Sequence, residues 1–302
     1  METRIDFYEC KQQAEQGDSE AQYKLGVAYS KGEDARDVKE SIKWRTMAAE
    51  QGHSEAQYDL GVAYQLGEGV VQNYKESVKW TRKAAEQGHA DGQYHLGLVY
   101  YLGQGVEQDS AEAISWIRKS AEQGSAFVQN NLGRLYASGQ GVEHDFSEAI
   151  YWIRKAAEQD FPAAQCSLGV EYMRGSIVQQ DYKEGINWYR KAAEQGYVDA
   201  QFNLGLAFSN GQGVEQDFSE AINWYSKAAE QGHANAQYNL GRMYANGRGV
   251  TQDYVMAHMY FNIVAVSGAK DAVENRDIIE EYMTDLQIEE AQGLAREWMQ
   301  TH

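Results

Sequence analysis

The sequence predicts an all-α fold, a solenoid of repeated helix-turn-helix units, and two regularities indicate it. A Leu-Gly pair recurs after 35 residues once and then after 36 residues five times. The glycines of this series are Gly26, Gly61, Gly97, Gly133, Gly169, Gly205 and Gly241. A tryptophan recurs in the same register, at Trp44, Trp80, Trp116, Trp152, Trp188 and Trp224. Self-similarity at this period is the signature of stacked supersecondary units, each too small to bury its own apolar face.

The segment from His53 to Gly88 represents one unit. Apolar residues recur in its first half at i, i+4 and i+8, which places them on one stripe of a helix: Ala56, Leu60 and Tyr64. This spacing predicts a helix A over about 54–66. Gly67 and Gly69 then end that helix and form the turn, and a helix B is predicted over about 73–87. The buried side of helix B is predicted to consist of Val78, Trp80, Thr81, Ala84 and Ala85.

The glycine of each Leu-Gly pair lies in the middle of helix A, where it costs up to about 1 kcal/mol relative to alanine. A cost repeated in every unit indicates close approach of a neighbouring helix. We expect the small Ala84–Ala85 pair of helix B to lie on the opposite side of that contact. Each tryptophan is expected to fill the seam between successive units, because burial of a large aromatic side chain is strongly stabilising.

The two ends depart from the repeat. Residues 1–17 predict a solitary N-terminal capping helix, with Glu9 where later units have tryptophan. Residues 18–268 contain seven units, and residues 269–302 predict C-terminal capping helices. Thr284 and Gln287 have the spacing of a capping box that begins the last helix. Terminal units of a solenoid cover its open ends, although the last helix could instead bind a partner.

The repeated residues also carry a family resemblance. The pattern Ala-Gln-Tyr-x-Leu-Gly-x-x-Tyr, Gly-x-Gly-Val and Ala-Ile-x-Trp-Tyr-x-Lys-Ala-Ala-Glu-Gln-Gly resembles the Sel1-like repeat, a relative of the tetratricopeptide repeat. The resemblance extends from about Ala14 to Gly268. It implies a right-handed α/α superhelical solenoid whose A helices line the concave side. It also implies adaptor or scaffold roles, mostly in bacterial signalling and host-contact proteins, and no shared catalytic residues.

Residues that break the repeat on helix A are the candidates for partner binding. Equivalent positions in successive A helices form rows, each named here by its residue number in the second unit. The row at position 58 contains Tyr58, Tyr94 and Tyr238, which are either packing residues or a partly exposed ladder for a peptide. The row at position 59 adds amides at Asn131, Asn203 and Asn239. The otherwise aliphatic row at position 62 contains Arg134 and Arg242, which could pair with carboxylates of a partner or with acids of this chain such as Glu171.

Composition and motifs exclude several function classes. The net charge of −18 disfavours nucleic acid and anionic membranes as partners, and no stretch is long enough to span a bilayer. His53, His89 and His233 share the position before helix A and are interpreted as helix-start residues, not zinc ligands. Cys10 and Cys166 are expected to be unpaired thiols. The Gly-x-Gly loops lack the strand and lysine of a phosphate-binding loop, so no cofactor, metal or catalytic residue is predicted.

The sequence therefore predicts a non-enzymatic scaffold that binds a protein or peptide segment on its concave surface. The alternative is a protein that binds glycan or peptidoglycan fragments and uses tyrosines as stacking platforms. An enzyme is the third possibility, although the chain lacks the regular cysteine pairs of the Sel1-like proteins linked to β-lactam binding. The first residues contain no signal-peptide pattern. We therefore expect a cytoplasmic protein, or one delivered to another cell by a signal-independent route.

Overall fold

The computed structural model describes residues 2–31 and 35–301, and within them all regular secondary structure is α-helical. The predicted terminal segments also include Met1 and His302, which lie outside the described residues. The helices of the first part are α1 (Glu2–Glu15), α2 (Ser19–Ser30), α3 (Ala35–Glu50), α4 (Ser54–Leu66), α5 (Tyr74–Glu86), α6 (Ala90–Leu102), α7 (Ser110–Glu122), α8 (Ala126–Ser138) and α9 (Phe146–Ala157). Those that follow are α10 (Pro162–Arg174), α11 (Tyr182–Glu194), α12 (Val198–Asn210), α13 (Phe218–Glu230), α14 (Ala234–Asn246), α15 (Tyr254–Ala265), α16 (Lys270–Glu280) and α17 (Asp285–Thr301).

The helices form two compact units, residues 1–152 and 153–302, and the division falls within α9. In each unit, successive helices pack against each other as helical hairpins, for example α4 with α5 and α12 with α13. The even-numbered helices from α2 to α14 are the A helices, and the odd-numbered helices from α3 to α15 are the B helices. The predicted all-α solenoid of helix-turn-helix repeats is thus confirmed.

Local capping chemistry sets the helix ends where the sequence predicts them. Helix α4 spans Ser54–Leu66, as predicted, and ends at Gly67, whose φ of 77° is in the left-handed region. Helix α5 begins after Asn73, whose side chain accepts hydrogen bonds from the backbone N–H groups of Lys75 and Glu76. These caps satisfy backbone groups that have no partner inside the helix. The turn between the two helices is therefore specified by residues adjacent to it.

Glycines of the Leu-Gly series lie against helix B of their own repeat at Gly26, Gly61, Gly97, Gly169, Gly205 and Gly241. A Cβ atom on Gly205 would be 2.5 Å from Cδ1 of Tyr225, and one on Gly97 would be 2.5 Å from Cγ1 of Ile117. Both partners directly follow the repeated tryptophan. Since no Cβ fits at such distances, the glycine is what allows the two helices to approach.

The Ala84–Ala85 pair does not lie opposite this glycine, so that expectation is wrong. A Cβ on Gly92, at the start of the next A helix, would be 3.2 Å from Cβ of Ala84. The pair lies one helical turn further along α5 than Thr81, which meets Gly61, and at that height it contacts the first turn of the following A helix. The alanines fix the distance between repeats, whereas the glycines fix the distance within one.

The tryptophans fill the seams between repeats, as predicted. Trp80 of α5 is 7% exposed and packs with residues of the preceding B helix and of its own A helix. The buried members of this cluster are Ala48, Ala49, Ala56, Leu60 and Trp80. Each tryptophan thus joins three helices, and its burial contributes to stacking of the repeats.

A chain of buried glutamines, which the sequence analysis did not predict, links consecutive repeats. Nε2 of Gln57 donates to the carbonyl oxygen of Ala49 at 3.0 Å, and Oε1 of Gln57 accepts from Nε2 of Gln87 at 2.7 Å. The same two bonds recur at Gln201, which donates to Ala193 and accepts from Gln231. The glutamine amide is thereby satisfied on both its donor and its acceptor side, although it is buried, and it bonds to a carbonyl near the C-terminus of the preceding B helix.

The last two helices pack on the final repeat. The predicted capping box is present, because the backbone N–H of Thr284 donates to Gln287 Oε1 and the N–H of Gln287 donates to Thr284 Oγ1. Helix α17 buries Ala291 and Ala295, and the ring of Trp298 meets that of Tyr260 edge-on at 5.7 Å between centroids. Tyr260 occupies the position that tryptophan has in earlier repeats. The prediction that residues 269–302 form a cap stays a prediction.

Replacement of Gly205 by alanine is expected to destabilise the protein. The new Cβ would overlap the ring of the fully buried Tyr225. Overpacking of this kind costs about 1–3 kcal/mol, more than the gain of up to about 1 kcal/mol in helix propensity. Urea denaturation monitored by circular dichroism should show a lower midpoint. Gly293→Ala is the matched control, since its nearest atom would be 3.9 Å away and the midpoint should rise. Equal shifts for both variants would contradict the close-contact role.

Candidate functional site

The histidines before helix A are helix caps, as the sequence predicts. Nδ1 of His89 accepts a hydrogen bond from the backbone N–H of Gly92 at 3.0 Å. The ring of His89 also stacks on Tyr58 at 4.9 Å between centroids. His233 caps α14 and stacks on Phe202 in the same way. Within residues 2–31 and 35–301, no group of three or more His, Cys, Asp and Glu side chains is arranged to hold a metal ion.

The tyrosine and asparagine rows are paired with each other across neighbouring repeats. Nδ2 of Asn131 donates to the hydroxyl of Tyr94 at 2.9 Å. Asn275 makes the equivalent bond to Tyr238, also at 2.9 Å. Burial raises the pKa of Tyr94, and the hydrogen bond from Asn131 partly offsets this effect. The rows therefore have a structural role, and each tyrosine is only partly accessible to a partner.

Three of the eight predicted site residues share one cavity. Tyr94, Asn131 and Arg134 line a cavity of about 320 Å³ between α6 and α8. The other residues around it are Leu98, Tyr101, Ile117, Leu135, Ser138 and Gln140. Arg134 is exposed, and the arginine ion pairs described within residues 2–31 and 35–152 involve Arg45 and Arg118 instead. This cavity combines an aromatic and aliphatic wall with one accessible positive charge.

Asn239 and Arg242 share a second cavity, of about 140 Å³, between α12 and α14. Its lining is mostly polar: Leu206, Ser209, Asn210, Tyr225, Asn239, Arg242, Met243, Asn246 and Arg248. The Tyr225 side chain is fully buried. Burial raises its pKa, and side-chain hydrogen bonds to Ser209 and Asn239 oppose that shift. This cavity therefore presents two guanidinium groups beside a fixed hydroxyl.

The two remaining predicted residues that line a cavity lie apart from these sets. Asn203 lines a cavity of about 310 Å³ with Arg174 and Tyr189, and its Nδ2 lies 3.7 Å from Sγ of Cys166. Tyr58 lines a cavity of about 360 Å³ beside Asp59. Burial raises the pKa of Asp59, although Arg45 lies close enough to oppose the shift. Seven of the eight predicted residues thus lie in four separate cavities along the A helices, whereas Tyr238 lines none of these four, and the set does not converge on one centre.

The repeats match a known family model throughout. The model for the Sel1 repeat matches seven consecutive segments, 19–53, 54–89, 90–125, 126–161, 162–197, 198–233 and 234–263. The chain belongs to the Sel1 repeat family. Sel1 repeat proteins are generally non-catalytic scaffolds that mediate protein interactions. Among the described residues of this Sel1 repeat protein, no helix is both long and apolar enough to cross a membrane.

Two solved structures show the same architecture as this Sel1 repeat protein. A Sel1 repeat protein from Oxalobacter formigenes is 31% identical, with a TM-score of 0.75 over 97% of this chain and 89% of that one. A protective antigen of uropathogenic Escherichia coli with an SLR fold is 27% identical, with a TM-score of 0.56 over 98% and 94% of the two chains. Among curated proteins, no match to the chain was found.

Sequence reasoning missed two residues of the second cavity. Arg248 lies in the Gly-x-Gly loop, which the sequence analysis interpreted only as a turn. The equivalent loop residues of the other repeats are Glu68, Gln104, Gln140, Ser176 and Gln212. Comparison of this loop row would have identified Arg248 as a departure from the pattern. Tyr225 carried no such signal, because Tyr189 occupies the same position in the preceding repeat.

Cys166 should be unreactive in the folded protein. It occupies the tyrosine row of its repeat, where burial raises the pKa of its thiol to about 12. Only the thiolate attacks disulfide reagents, so Cys166 should not be labelled at pH 8. Cys10 is half-buried, and we expect it to react first. Thiol titration of the Cys10→Ser variant isolates Cys166. In that variant the remaining thiol should not react with the reagent until denaturant is added. Rapid labelling of the folded variant would contradict the prediction.

Proposed function

We propose that this Sel1 repeat protein is a scaffold that binds a protein or peptide segment along its A helices. The observation that supports this most is the series of similar pockets between successive A helices. Each one joins apolar or aromatic side chains to polar ones, as in the cavity of Tyr94, Asn131 and Arg134. Small convergent pockets of this type are suited to alternate side chains of an extended segment.

The contacts of the arginines favour binding by charge as well as by shape. Arg134 and Arg242 are both exposed, in a chain with 45 acidic and 27 basic residues. Within residues 153–301 the arginine ion pairs involve Arg276, so Arg242 is not neutralised by a carboxylate there. Arginine is enriched at binding hot spots, where it forms bidentate bonds to carboxylates. The partner that fits is a polypeptide segment with acidic residues.

The alternative of a glycan-binding protein has less support from the geometry. A sugar stacks on an exposed face of an aromatic ring, as bases and cations do in other recognition sites. His89 covers one face of Tyr58, and the ring of Phe127 meets Tyr94 edge-on at 5.7 Å. Both tyrosines are also only half exposed. A bacterial source and delivery by a signal-independent route are further parts of the proposal, and the likeness to bacterial Sel1 repeat structures supports the first of these.

The double variant Arg134→Glu/Arg242→Glu is expected to lose its partner. Reversal of both charges adds repulsion toward acidic side chains, and loss of a desolvated charged pair costs about 2–5 kcal/mol. Affinity capture with the immobilised wild-type chain, followed by mass spectrometry, identifies candidates, and the double variant should capture at least tenfold less of the specific one.

Arg190→Glu is the matched control, because Arg190 is exposed on α11 and lines none of the four cavities described above. This single reversal should leave capture unchanged. Equal capture by the wild type and the folded double variant would contradict the assignment of the two arginines. Retention of cell-wall glycan, with no protein partner, would favour the alternative.

A further inference from the structure

The last full repeat has arginine at two variable positions; it shares the first of these arginines with the repeat of Arg134, and the second is at a loop position where the other Gly-x-Gly loops have no arginine. Arg242 replaces an aliphatic residue of α14, where four other repeats have Val62, Leu98, Val170 and Leu206. Arg248 replaces the loop residue that is Glu68, Gln104, Gln140, Ser176 or Gln212 elsewhere. The two positions are six residues apart in the sequence, on a helix and in the loop after it. The structure places both of them on one cavity.

The cavity holds its two guanidinium groups without an internal counter-charge. Its lining contains no Asp or Glu, and neither arginine has a carboxylate within ion-pair distance among residues 153–301. The chain as a whole carries a net charge of −18. The positive charge is therefore concentrated at a place where nothing in the described chain neutralises it.

Neighbouring groups contact the guanidinium of Arg248 and fix polar side chains beside Arg242. The guanidinium carbon of Arg248 lies 6.0 Å from the ring centroid of Phe218, a distance that permits a cation–π contact. Nδ2 of Asn246 donates to the carbonyl oxygen of Arg242 at 2.7 Å. Asn239 and the buried hydroxyl of Tyr225 form the polar floor. The cavity is thus a built concave surface, unlike isolated cations on an exposed helix.

We infer that this cavity is a carboxylate-binding subsite, formed by Arg242, Arg248 and Asn239. Its volume of about 140 Å³ accommodates a single side-chain-sized group. Planar guanidinium groups bind carboxylates through paired N–H···O bonds, and amides add further donors. The inference rests on the proposed function, because an unmodified polypeptide carries anionic oxygens only on Asp, Glu and its C-terminus. The subsite would fix the position of one such group within a bound segment.

The contrast with the Arg134 cavity shows why the assignment is specific. That cavity has Leu98, Leu135 and two tyrosine rings around a single arginine, and its loop residue is the neutral Gln140. It suits an apolar side chain with a charge at its edge. The cavity of Arg242 and Arg248 has only Leu206 and Met243 as apolar lining residues. The two sites therefore select different residues of a partner.

Arginine side-chain NMR of the full chain tests the subsite directly. The probes are the peptide acetyl-Gly-Ser-Glu-Glu-Ser-Gly-amide, its Gln-Gln counterpart, and that Gln-Gln peptide with a free C-terminal carboxylate. The Nε–Hε resonances of Arg242 and Arg248 should shift together, and the shift should saturate, with the Glu-Glu peptide, the free-carboxylate peptide, or both. These resonances should stay unchanged with the amidated Gln-Gln peptide. The comparison distinguishes a side-chain carboxylate from a chain terminus. The resonance of Arg190 should not move.

Single variants separate a subsite from general charge attraction. Arg248→Gln and Arg242→Gln should each raise the dissociation constant of the carboxylate peptide at least tenfold. Arg242→Lys should raise it less, because the charge is kept although the paired geometry is lost. Arg190→Gln should change nothing. An equal shift at Arg190, the absence of saturation, or a response to inorganic phosphate but to neither carboxylate peptide would overturn the inference. Normal circular dichroism of each variant confirms that it is folded.

The outcomes distinguish this inference from the proposed function. If the chain captures a protein partner but binds neither carboxylate peptide, the subsite is contradicted and the scaffold function is not. Saturable carboxylate binding at Arg242 and Arg248, with no protein partner for the chain, would instead support the subsite and contradict the scaffold function. Arg248→Gln is informative for both tests, since Arg248 is not part of the charge-reversal variant.

Discussion

The close contact between the two helices of each repeat is the constraint on which the other features depend. A glycine in the middle of helix A lets the side chain after the repeated tryptophan lie directly on the helix backbone, as Tyr225 does on Gly205. This contact sets the rotation of helix B about its axis. The tryptophan then faces the seam with the preceding repeat, and the Ala-Ala pair faces the following one. Within each unit the pockets lie between successive A helices, and their lining side chains differ from one pocket to the next.

Polar groups give the stack a register that apolar packing alone does not specify. Gln57 and Gln201 each bond to a backbone carbonyl and to another glutamine, so a shift by one residue would leave buried donors and acceptors without partners. The bonds from Asn131 to Tyr94 and from Asn275 to Tyr238 act in the same way on the A-helix side. The candidate residues Tyr94, Asn131 and Tyr238 therefore also hold neighbouring repeats together, whereas the ion pairs among the described residues do not involve Arg134 or Arg242.

Features determined by neighbouring residues were predictable from the sequence, whereas contacts between distant residues were less so. The bounds of α4 and the caps at Asn73 and His89 followed from local chemistry. The partner of the Leu-Gly glycine was assigned wrongly, because the side chain that reaches it depends on the rotation of the second helix. The pairing of Asn131 with Tyr94 spans 37 residues and leaves no mark in either segment alone. Among the candidate residues, the pattern identified Arg242 but missed Arg248, because the Gly-x-Gly loop was interpreted only as a turn.

The glutamine chain has a consequence for how such a chain can change in evolution. Its glutamine–glutamine bonds lie within one repeat and join residues 29 or 30 positions apart. Duplication or deletion of one such repeat by recombination would therefore keep both partners of the bond together. The length of the array can change in a single genetic event, while point substitutions at positions such as Arg242 and Arg248 adjust one pocket at a time. The number of repeats and the side chains of a single pocket can therefore change independently of each other.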